Sequence, residues 1–539
     1  MRQATKRSSR LVGRSAGLSH ARWKNTASRA LWNALLILYV TERMHPLGSP
    51  YVRDQLAQRC LRLNEMRLVP EGEFVLYLMQ TTQRIRENWG LRYATIEADR
   101  LNRPLLIVHE LDCDYVHASD RMHTFALQGT RDVARDADAA GYAFRFLLRR
   151  KRGELSRTVD RIAARACLIV TDAYPTGGAA QRTARLAAAV PCRVVAVDSV
   201  GVVPAAMLPR EEYAARTIRP KLAKLRDISL EPVLERGPRR EFPAALLASL
   251  AIDSVDIAHA DIAAEVARCE VDREVPPASI EGGSGAARER LARFVETGLE
   301  QYSTRRVDPT DSDGSSRLSP YLRYGHISAA EVARSALQHG PKSESEAFLD
   351  EMITWRELSL NFCLHNAAHT TLDALPAWVH RSMSEHEGDR RDVIYSREQL
   401  ASAVTGEPLW NAGQRELLTT GQMHNAVRML WGKSVLLWTE RYADALSSLI
   451  WLNDRYALDG RDPNSYSNIL WCFGKFDRPF ATRPVWGTIR PMSLSRARGK
   501  FDVNAYVARW TSSQTEIFAA PSVRAVRRAT SRPRPAASR

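Results

Sequence analysis

Short apolar runs alternate with stretches of helical hydrophobic spacing between Phe74 and about Ser199. The runs read FVLYLM, PLLIVHEL, YAFRFLL, CLIVTDA and CRVVAVDS. Strands without polar alternation are covered on both faces, and strands that alternate with helices are typical of a parallel sheet. The pattern therefore predicts an α/β doubly wound domain with a mainly parallel sheet over residues 60–205.

The hydrophobic pattern changes after residue 286. Apolar positions then recur at helical spacing up to about Trp510, with almost no strand-like alternation. This predicts an all-α domain over residues 286–512. Residues 206–285 contain EEYAARTIRPKLAKL and the Pro276–Pro277 break, and they form the predicted connection between the two domains.

The predicted α/β domain is Rossmann-like but has no recognised phosphate-binding motif. Neither GxGxxG nor GxxxxGK[ST] occurs in it, and the Gly177–Gly178 pair in PTGGAAQ lacks the lysine. These motifs therefore assign the domain no ligand.

Composition indicates an ordinary folded protein. The chain has 539 residues, of which 45% are apolar and 26% charged, values that exclude a mainly disordered or collagenous chain. The formal net charge is +16, but residues 1–46 contribute +8 and residues 519–539 contribute +6. A basic partner surface in the body must therefore be a local patch, because the net charge of residues 47–518 is close to zero.

The two ends have biased compositions. Residues 1–46 are basic and rich in Arg, Ser and Ala, and they are expected to form a disordered extension. This composition is typical of an organelle transit peptide, or the functional chain begins near Met44. Residues 519–539 are expected to form a basic disordered tail. The apolar run from Ala30 to Val40 is too short to span a bilayer.

Cysteine and histidine spacing indicates no metal site. Seven widely spaced cysteines without a CxxC favour a reducing compartment over a disulfide framework or a zinc knuckle. His365 and His369 lie four apart, as in HExxH, but Asn366 replaces the catalytic Glu. Capping or surface roles explain these two histidines better.

Tryptophans are dense in the predicted helical domain, where seven of the twelve lie between Trp355 and Trp471. Such a cluster is usually core. Trp431 and Trp438 are seven apart on one predicted helix, a spacing that also suits stepwise electron transfer if a redox cofactor lies nearby.

Two further groups have both a structural and a functional interpretation. Glu351 and Trp355 are four apart on a predicted helix, which suits either an ordinary amphipathic helix or a carboxylate facing an aromatic ring. Ser315, Ser316, Arg317 and Ser319 precede a helix that is predicted to begin near Ser328, and they suit either a capped turn or a pyrophosphate site.

Longer motifs carry a family resemblance. SSRLSPYLRYGHIS (315–328) resembles the flavin-phosphate turn of the photolyase and cryptochrome family. MHNAVRMLWGKSVLLWT (423–439), LNDRYALDGRDPNSYSNILW (452–471) and EEYAARTIRPK (211–221) more narrowly resemble class II cyclobutane pyrimidine dimer (deoxyribodipyrimidine) photolyases. The resemblance extends from about residue 60 to about residue 510.

The resemblance implies an α/β antenna-type domain followed by a helical domain that binds FAD and damaged DNA. Asn453 matches the amide that faces flavin N5 in the family. Arg428 and Asp459 match the ion pair against the isoalloxazine. The other positions that match cofactor contacts are Tyr302, Ser315, Ser316, Arg317, Ser319 and Asn425.

The same resemblance implies a substrate site for a flipped dimer. Glu351 matches the carboxyl that hydrogen-bonds the dimer, and Trp355 and Trp471 match the rings that pack its bases, with Met429 beneath. The positions that match DNA-contacting arginines are Arg306, Arg478 and Arg490.

Trp410, Trp431 and Trp438 match the chain of tryptophans through which class II members reduce their flavin in light. The implied reaction starts with photoexcited FADH⁻, which donates an electron to the dimer. The cyclobutane ring then splits and the electron returns. The resemblance thus predicts a DNA-repair lyase that acts as a monomer in the cytoplasm, associated with DNA.

Three residues depart from the family pattern. Phe480 replaces a Trp that usually enters the DNA bubble, Phe476 replaces a common His, and Leu430 replaces a Tyr beside the tryptophan chain. The segment WCFGKFD is also one residue shorter than in many relatives. These changes affect the expected DNA affinity and side branches of electron transfer.

Two other functions compete with repair. A cryptochrome-like photoreceptor shares the fold, but it does not need Glu351, Trp355, Met429 and Trp471 together. A non-catalytic DNA-binding protein that uses its basic tails does not explain the flavin turn. The sequence also leaves open whether the α/β domain carries an antenna chromophore, and whether this is a deazaflavin, a folate or a second flavin.

Overall fold

The computed structural model of the protein describes residues 50–154, 156–233 and 236–512. The predictions for residues 1–46 and 519–539 lie outside the described residues. Among the residues that the structure describes, no helix is long and apolar enough to cross a membrane.

A six-stranded sheet forms the centre of the N-terminal region. Its order is β1-β6-β5-β2-β3-β4, and all neighbours are parallel except β1 and β6. The strands are β1 (Cys60–Arg62), β2 (Phe74–Met79), β3 (Leu105–Leu111), β4 (Ala143–Leu148), β5 (Ala166–Asp172) and β6 (Arg193–Val197). The predicted doubly wound, mainly parallel sheet is therefore confirmed.

Helices cover both faces of this sheet, which explains why the central strands lack polar alternation. Every residue of β2 and β5 is buried. The covering helices are α1 (Pro50–Arg59), α2 (Trp89–Arg100), α3 (Asp120–Ala139), α4 (Thr158–Ala163) and α5 (Ala179–Ala189). Two of them begin at side-chain caps, since Asn88 accepts from the Leu91 N–H and Ser119 from the Met122 N–H.

The edge strand β1 did not follow from the hydrophobic pattern. Its three residues pair antiparallel with β6 in the register Cys60↔Val197 and Arg62↔Val195. Three residues are too few to show a period, so only the tertiary pairing defines this strand.

The connection after the sheet contains short helices. They are a 3₁₀ turn (Ala205–Met207), α6 (Ala215–Ser229), α7 (Ala244–Ser249) and α8 (Ile262–Ala267).

The region that follows is helical, as predicted. Its helices are α9 (Ser284–Thr297), α10 (Tyr302–Arg305), α11 (Ser319–Tyr324), α12 (Ala329–His339), α13 (Lys342–Leu349), α14 (Trp355–His365), α15 (Ala377–His386), α16 (Arg397–Ala401), α17 (Pro408–Thr420), α18 (Asn425–Leu437), α19 (Tyr442–Tyr456), α20 (Pro463–Cys472) and α21 (Val503–Ser512).

Three irregular 3₁₀ turns join these helices. They are Leu299–Gln301, Leu372–Ala374 and Leu494–Gly499. A π-helical turn, Asp350–Thr354, separates α13 from α14. Sequence periodicity does not distinguish this turn from an α-helix, and π turns are frequent at functional sites.

Helix α3 joins the sheet region to the helical region. Arg121 is buried, and its guanidinium donates to the carbonyl oxygens of Leu417, Leu418 and Tyr456 at 3.1, 2.5 and 2.9 Å. Gly129 lies on the same helix. A Cβ there would lie 2.0 Å from His326 Nε2, so glycine is required for this close approach.

We expect the substitution Arg121→Ala to destabilise the protein by about 3 kcal/mol. Three carbonyl oxygens at the ends of α17 and α19 would lose their donor, at about 1 kcal/mol each. The measurement is the thermal unfolding midpoint of the purified protein. Arg135→Ala on the exposed side of the same helix is the matched control, and its effect should stay within about 0.5 kcal/mol. Equal midpoints for the two variants would show that Arg121 does not join the regions.

Candidate active site

The turn at residues 315–318 contains four backbone N–H groups without a protein partner among the described residues. Arg290 holds the turn from behind, because its guanidinium donates to the carbonyl oxygens of Ser315 and Ser316 at 3.0 and 2.9 Å. Adjacent free N–H groups and serine hydroxyls are typical ligands of a phosphate.

Arg317 in this turn is fixed by a buried carboxylate. Its φ is 53°, and its guanidinium donates to Glu416 Oε1 at 2.9 Å. The second oxygen of Glu416 accepts from the Tyr506 hydroxyl at 2.6 Å and from the His424 N–H at 3.1 Å. Ser319, the first residue of α11, is exposed beside the turn. This short helix was not predicted, since the sequence indicated a helix only from about Ser328.

His424 is a candidate that the sequence did not indicate. Its Nδ1 accepts from the Ala426 N–H at 3.2 Å, so Nε2 carries the hydrogen. Nε2 is buried and has no hydrogen-bond partner among the described residues. Burial, with a further contribution from Arg317, lowers the pKa of His424 to about 4. A neutral imidazole with an unused donor suits an acceptor atom of a bound molecule.

Arg428 and Asp459 form a bidentate ion pair between α18 and the turn after α19. The two N–O distances are 3.0 and 2.7 Å, and Asp459 is buried. Burial alone raises the pKa of Asp459, but the Arg428 guanidinium outweighs it and holds the pKa below its ordinary value. The pair therefore places a fixed cation and anion inside the helical region.

The amide of Asn453 is oriented by its neighbour Asp454. The Asp454 carboxylate accepts from Asn453 Nδ2 at 3.1 Å, from the Arg461 N–H at 2.9 Å and from the Tyr466 hydroxyl at 3.0 Å. An ionised carboxylate only accepts hydrogen bonds, so the NH₂ group of Asn453 faces Asp454. The carbonyl oxygen of the amide then faces the other way.

Glu351 lies in the π-helical turn and pairs with Arg306. The distance from Arg306 Nη2 to Glu351 Oε1 is 2.8 Å, and each side chain is about a third exposed, at 32% and 30%. The Arg306 guanidinium also lies 5.8 Å from the ring centre of Tyr302. Burial raises the pKa of Tyr302 to about 12. Tyr302 thus neighbours the carboxylate at the predicted substrate site.

Trp355 and Trp471 form one aromatic surface. Their ring centres are 4.8 Å apart at an interplanar angle of 27°, and both rings are half-buried. The Trp471 indole N–H donates to Asp477 Oδ1 at 3.0 Å, which fixes its ring. No base fits between two rings this close, so a stacked ligand must contact the outer faces of the pair.

Helix α18 carries several of the predicted residues on one element. Asn425 is exposed at its first turn, and Met429 is half-buried directly after Arg428.

Phe476 packs edge-on against Trp471, at a ring distance of 6.3 Å. Leu430 is buried in the core.

Two exposed arginines flank Phe480. The guanidinium carbons of Arg478 and Arg490 lie 5.5 and 5.9 Å from the Phe480 ring centre. The loop is closed by reciprocal hydrogen bonds between Arg483 and Gly487 at 3.0 and 2.8 Å. The two guanidinium groups and the Phe480 ring between them form a local basic patch. The near-zero net charge of residues 47–518 does not reveal such a patch.

Trp410 connects the other two tryptophans of the predicted chain. Its ring lies 6.0 Å from Trp431, stacked at 9°, and 5.5 Å from Trp438, edge-on at 73°. The Trp410 indole N–H donates to the Trp431 carbonyl at 2.9 Å. The helical spacing predicted that Trp431 and Trp438 lie on the same face of one helix. Trp438 instead follows the last residue of α18, and both rings contact Trp410.

The two histidines with HExxH-like spacing do not share a helix face. Helix α14 ends at His365, whose Nε2 lies 2.8 Å from the Leu208 carbonyl oxygen. His369 lies beyond the helix, with Nδ1 3.0 Å from the Asn366 carbonyl oxygen. Each imidazole serves a local backbone contact.

Comparison with known proteins identifies the family. A sequence model described as DNA photolyase matches residues 75–239. The chain is 33% identical over 455 residues to the deoxyribodipyrimidine photo-lyase of Methanothermobacter thermautotrophicus, covering 84% of this chain and 98% of that protein. The chain belongs to the photolyase family. Relatives named deoxyribodipyrimidine photo-lyase include that of Oryza sativa, at 35% identity over 81% of this chain and 87% of that protein.

The fold is also shared with solved family members. A class III photolyase from Agrobacterium tumefaciens superposes with a TM-score of 0.61 at 18% identity, covering 82% of this chain and 87% of that chain. The predicted family and two-part fold are therefore confirmed, and the curated relatives support deoxyribodipyrimidine photo-lyase activity.

The buried pair Arg428–Asp459 predicts a pH dependence. Because the folded pKa of Asp459 is lowered, its contribution to stability is present above the ordinary Asp pKa of about 4 and is lost as the pH falls through the lower folded pKa. We expect Asp459→Asn to cost about 3 kcal/mol at pH 7 and progressively less below about pH 4. The measurement is thermal unfolding of both proteins from pH 3 to 7.

Asp444→Asn is the control for this comparison. Asp444 pairs with Arg441 in an exposed position, so its loss should cost at most about 1 kcal/mol at pH 7. An Asp459→Asn penalty that is small or independent of pH would contradict the assigned role of the pair.

Proposed function

We propose that the protein binds FAD in its helical region and uses light to split cyclobutane pyrimidine dimers in DNA. The observation that carries this proposal is the aromatic surface of Trp355 and Trp471 with the Glu351 carboxylate at the neighbouring helical turn. Flat rings beside one polar anchor suit a pair of bases that has left the DNA stack.

The donor groups of the helical region fit FAD. The free N–H groups of residues 315–318, the hydroxyls of Ser315, Ser316 and Ser319, and Arg317 would hold the pyrophosphate. The buried Nε2–H of His424 is a further donor that lacks a protein partner. Bound FAD, in its reduced form, would supply the light-driven electron for the reaction.

Three residues would set the environment of the flavin ring. Arg428 offers a positive charge that Asp459 holds in place at 2.7 Å. Asn453 offers its amide carbonyl, because Asp454 occupies the NH₂ side. A carbonyl oxygen accepts a hydrogen bond, so this orientation favours a protonated nitrogen on the ring. Asn425 and Tyr302 would line the edges of the same site.

Glu351 and the tryptophan pair would bind the dimer. A base pair distorted by a dimer costs less to unpair than an intact one, which favours extrusion of the lesion. The bases would stack on the outer faces of Trp355 and Trp471, with Met429 beneath. Glu351 would exchange its contact with Arg306 for a hydrogen bond to the dimer, which frees Arg306 for a phosphate.

The Arg478–Phe480–Arg490 group would occupy the gap in the duplex. The two guanidinium groups can contact phosphates while the ring between them replaces the stacking of the lost bases. Phenylalanine offers a smaller ring than tryptophan, so we expect weaker stacking here and a larger share of affinity from the arginines.

The tryptophan group would transfer electrons to the flavin in the order Trp438, Trp410, Trp431. Neighbouring ring centres are 5.5 and 6.0 Å apart. Trp431 follows Arg428 by three residues on α18, which favours it as the ring nearest the flavin. All three rings are buried, which excludes water from the path.

The proposal also covers the oligomeric state and the cellular compartment of the protein. The family resemblance implies a protein that acts as a monomer, and we propose the same here. A DNA substrate, and seven cysteines that are all unpaired in the described part of the chain, support a reducing, DNA-containing compartment such as the cytoplasm.

The test of the function is a repair assay with the purified flavoprotein. The reduced protein is illuminated with an oligonucleotide that contains a thymine dimer, and the recovery of base absorbance is followed. Light-dependent recovery supports the proposal. Bound flavin without recovery would contradict it and favour a photoreceptor, and absence of bound flavin would contradict the cofactor assignment.

Glu351→Ala should retain FAD but repair the dimer about 10- to 100-fold more slowly. A hydrogen bond to a charged group contributes about 1.5–3 kcal/mol, which corresponds to that range. The measurement is the initial repair rate under constant illumination. Glu346→Gln, one helical turn away and paired with Arg226, is the control and should repair at the normal rate. A normal rate for Glu351→Ala would remove Glu351 from the site.

Trp410→Phe should block photoreduction of the oxidised flavin while leaving repair by chemically reduced protein intact. The substitution removes the ring that contacts both other tryptophans. The measurement is bleaching of the flavin absorbance under light with an external reductant. Trp451→Phe, whose ring packs on Tyr456 and touches none of the three, is the control. Unchanged bleaching in Trp410→Phe would exclude this electron path.

A further inference from the structure

Three potential metal ligands that the proposed flavin site does not use converge inside the α/β region. Cys113 follows β3, His123 lies on α3, and Cys269 follows α8. Their ligand atoms all lie within 4.8 Å of one another. The side chains of Cys113 and His123 are fully buried and Cys269 is 3% exposed.

The spacing fits a tetrahedral ion. Zn–S bonds of about 2.3 Å and Zn–N bonds of about 2.0–2.1 Å place neighbouring sulfur and nitrogen ligands about 3.6 Å apart. The distance from Cys113 Sγ to His123 Nε2 is 3.6 Å. The carbonyl oxygens of Arg149 and Arg150 lie 3.3 and 3.5 Å from the same sulfur, so an oxygen donor for the fourth position is near.

The ring nitrogen of His123 that faces away from the two cysteines, Nδ1, has a hydrogen-bond partner, as in many metal sites. Nδ1 lies 2.9 Å from the Tyr115 hydroxyl, and the two rings stack at 5.5 Å with an angle of 11°. A metal-bound imidazole usually has its second nitrogen in a hydrogen bond that fixes the ring. The Arg461 guanidinium lies 5.1 Å from the ring centre of Tyr115 and fixes that residue in turn.

Charge balance selects the ion. Two thiols that lose their protons and one neutral imidazole carry a charge of −2, which Zn²⁺ neutralises. A monovalent ion would leave a net charge in a buried site, at a large desolvation cost. Thiolate and imidazole ligands also match zinc and not magnesium or calcium.

We propose that Cys113, His123 and Cys269 bind one Zn²⁺ ion. The ion would join the loop after β3, helix α3 and the segment after α8. Helix α3 also carries Arg121, so the ion would stabilise the helix that connects the sheet region to the helical region. Its role would be structural, since none of its ligands belongs to the proposed flavin, substrate or electron-transfer groups.

Without zinc, the same atoms form a chain of hydrogen bonds. His123 Nε2 lies 3.6 Å from Cys113 Sγ, and the Cys113 and Cys269 thiols donate to the carbonyls of Arg149 and Glu265. The two states differ in metal content and in sulfur coordination, both of which are measurable on the wild-type flavoprotein.

The experiment starts with full-length flavoprotein that is loaded with Zn²⁺ under a thiol reductant and freed of unbound metal by gel filtration. Metal analysis should give about one zinc per chain. X-ray absorption at the zinc edge should show two sulfur ligands at about 2.3 Å and nitrogen or oxygen at about 2.0–2.1 Å. Less than about a tenth of a zinc per chain, or a shell without sulfur, would overturn the proposal.

Variants assign the ligands. Cys113→Ser and Cys269→Ser should each lose zinc while retaining flavin, and Cys60→Ser, which replaces a half-buried thiol outside the group, should keep it. Zinc retained in both ligand variants would overturn the assignment. If the ligand variants fail to fold, the absorption spectrum of the wild-type protein decides alone.

Discussion

Buried carboxylates fix three polar groups of the proposed flavin site. Glu416 orients Arg317, Asp459 orients Arg428, and Asp454 orients Asn453. Polar groups in a helical core must find partners or lose free energy, so these pairs are required for folding as well as for binding. The result is a set of hydrogen-bond donors and acceptors that are oriented before any ligand binds, which lowers the entropic cost of binding.

The proposed flavin site and the proposed substrate site differ in how their polar groups are held. Arg121 on helix α3 connects the sheet region to the ends of α17 and α19, because its guanidinium donates to their carbonyl oxygens. His424 follows α17 and Asp459 follows α19 in the chain, and both belong to the proposed flavin site. The groups that we propose to face the substrate are instead about a third exposed, as in the pair of Arg306 with Glu351, and such exposed pairs contribute little to stability. A surface that must accept a flipped lesion needs such exchangeable contacts.

Much of the fold could be predicted from the sequence, because the central strands are continuous apolar runs and the later helices show a clear period. Strand β1 was missed because three residues show no period. The π turn at Asp350–Thr354 and the short helix α11 depend on packing that periodicity does not report. For the site, the family motifs indicated Glu351, Arg428 and Asp459. His424 and the bridging position of Trp410 needed coordinates, and so did the meeting of Cys113 with Cys269, which are far apart in the chain.

We propose that pre-oriented polar groups hold a flavin beside an aromatic surface that receives the dimer. A crystal structure of the FAD-loaded protein with DNA that contains a thymine dimer is the most direct test. We expect the dimer bases on the outer faces of Trp355 and Trp471, with a Glu351 oxygen within hydrogen-bond distance of a base, while the Arg428–Asp459 and Asn453–Asp454 contacts remain as they are. A dimer bound elsewhere, or Glu351 still paired with Arg306 and remote from the lesion, would contradict it.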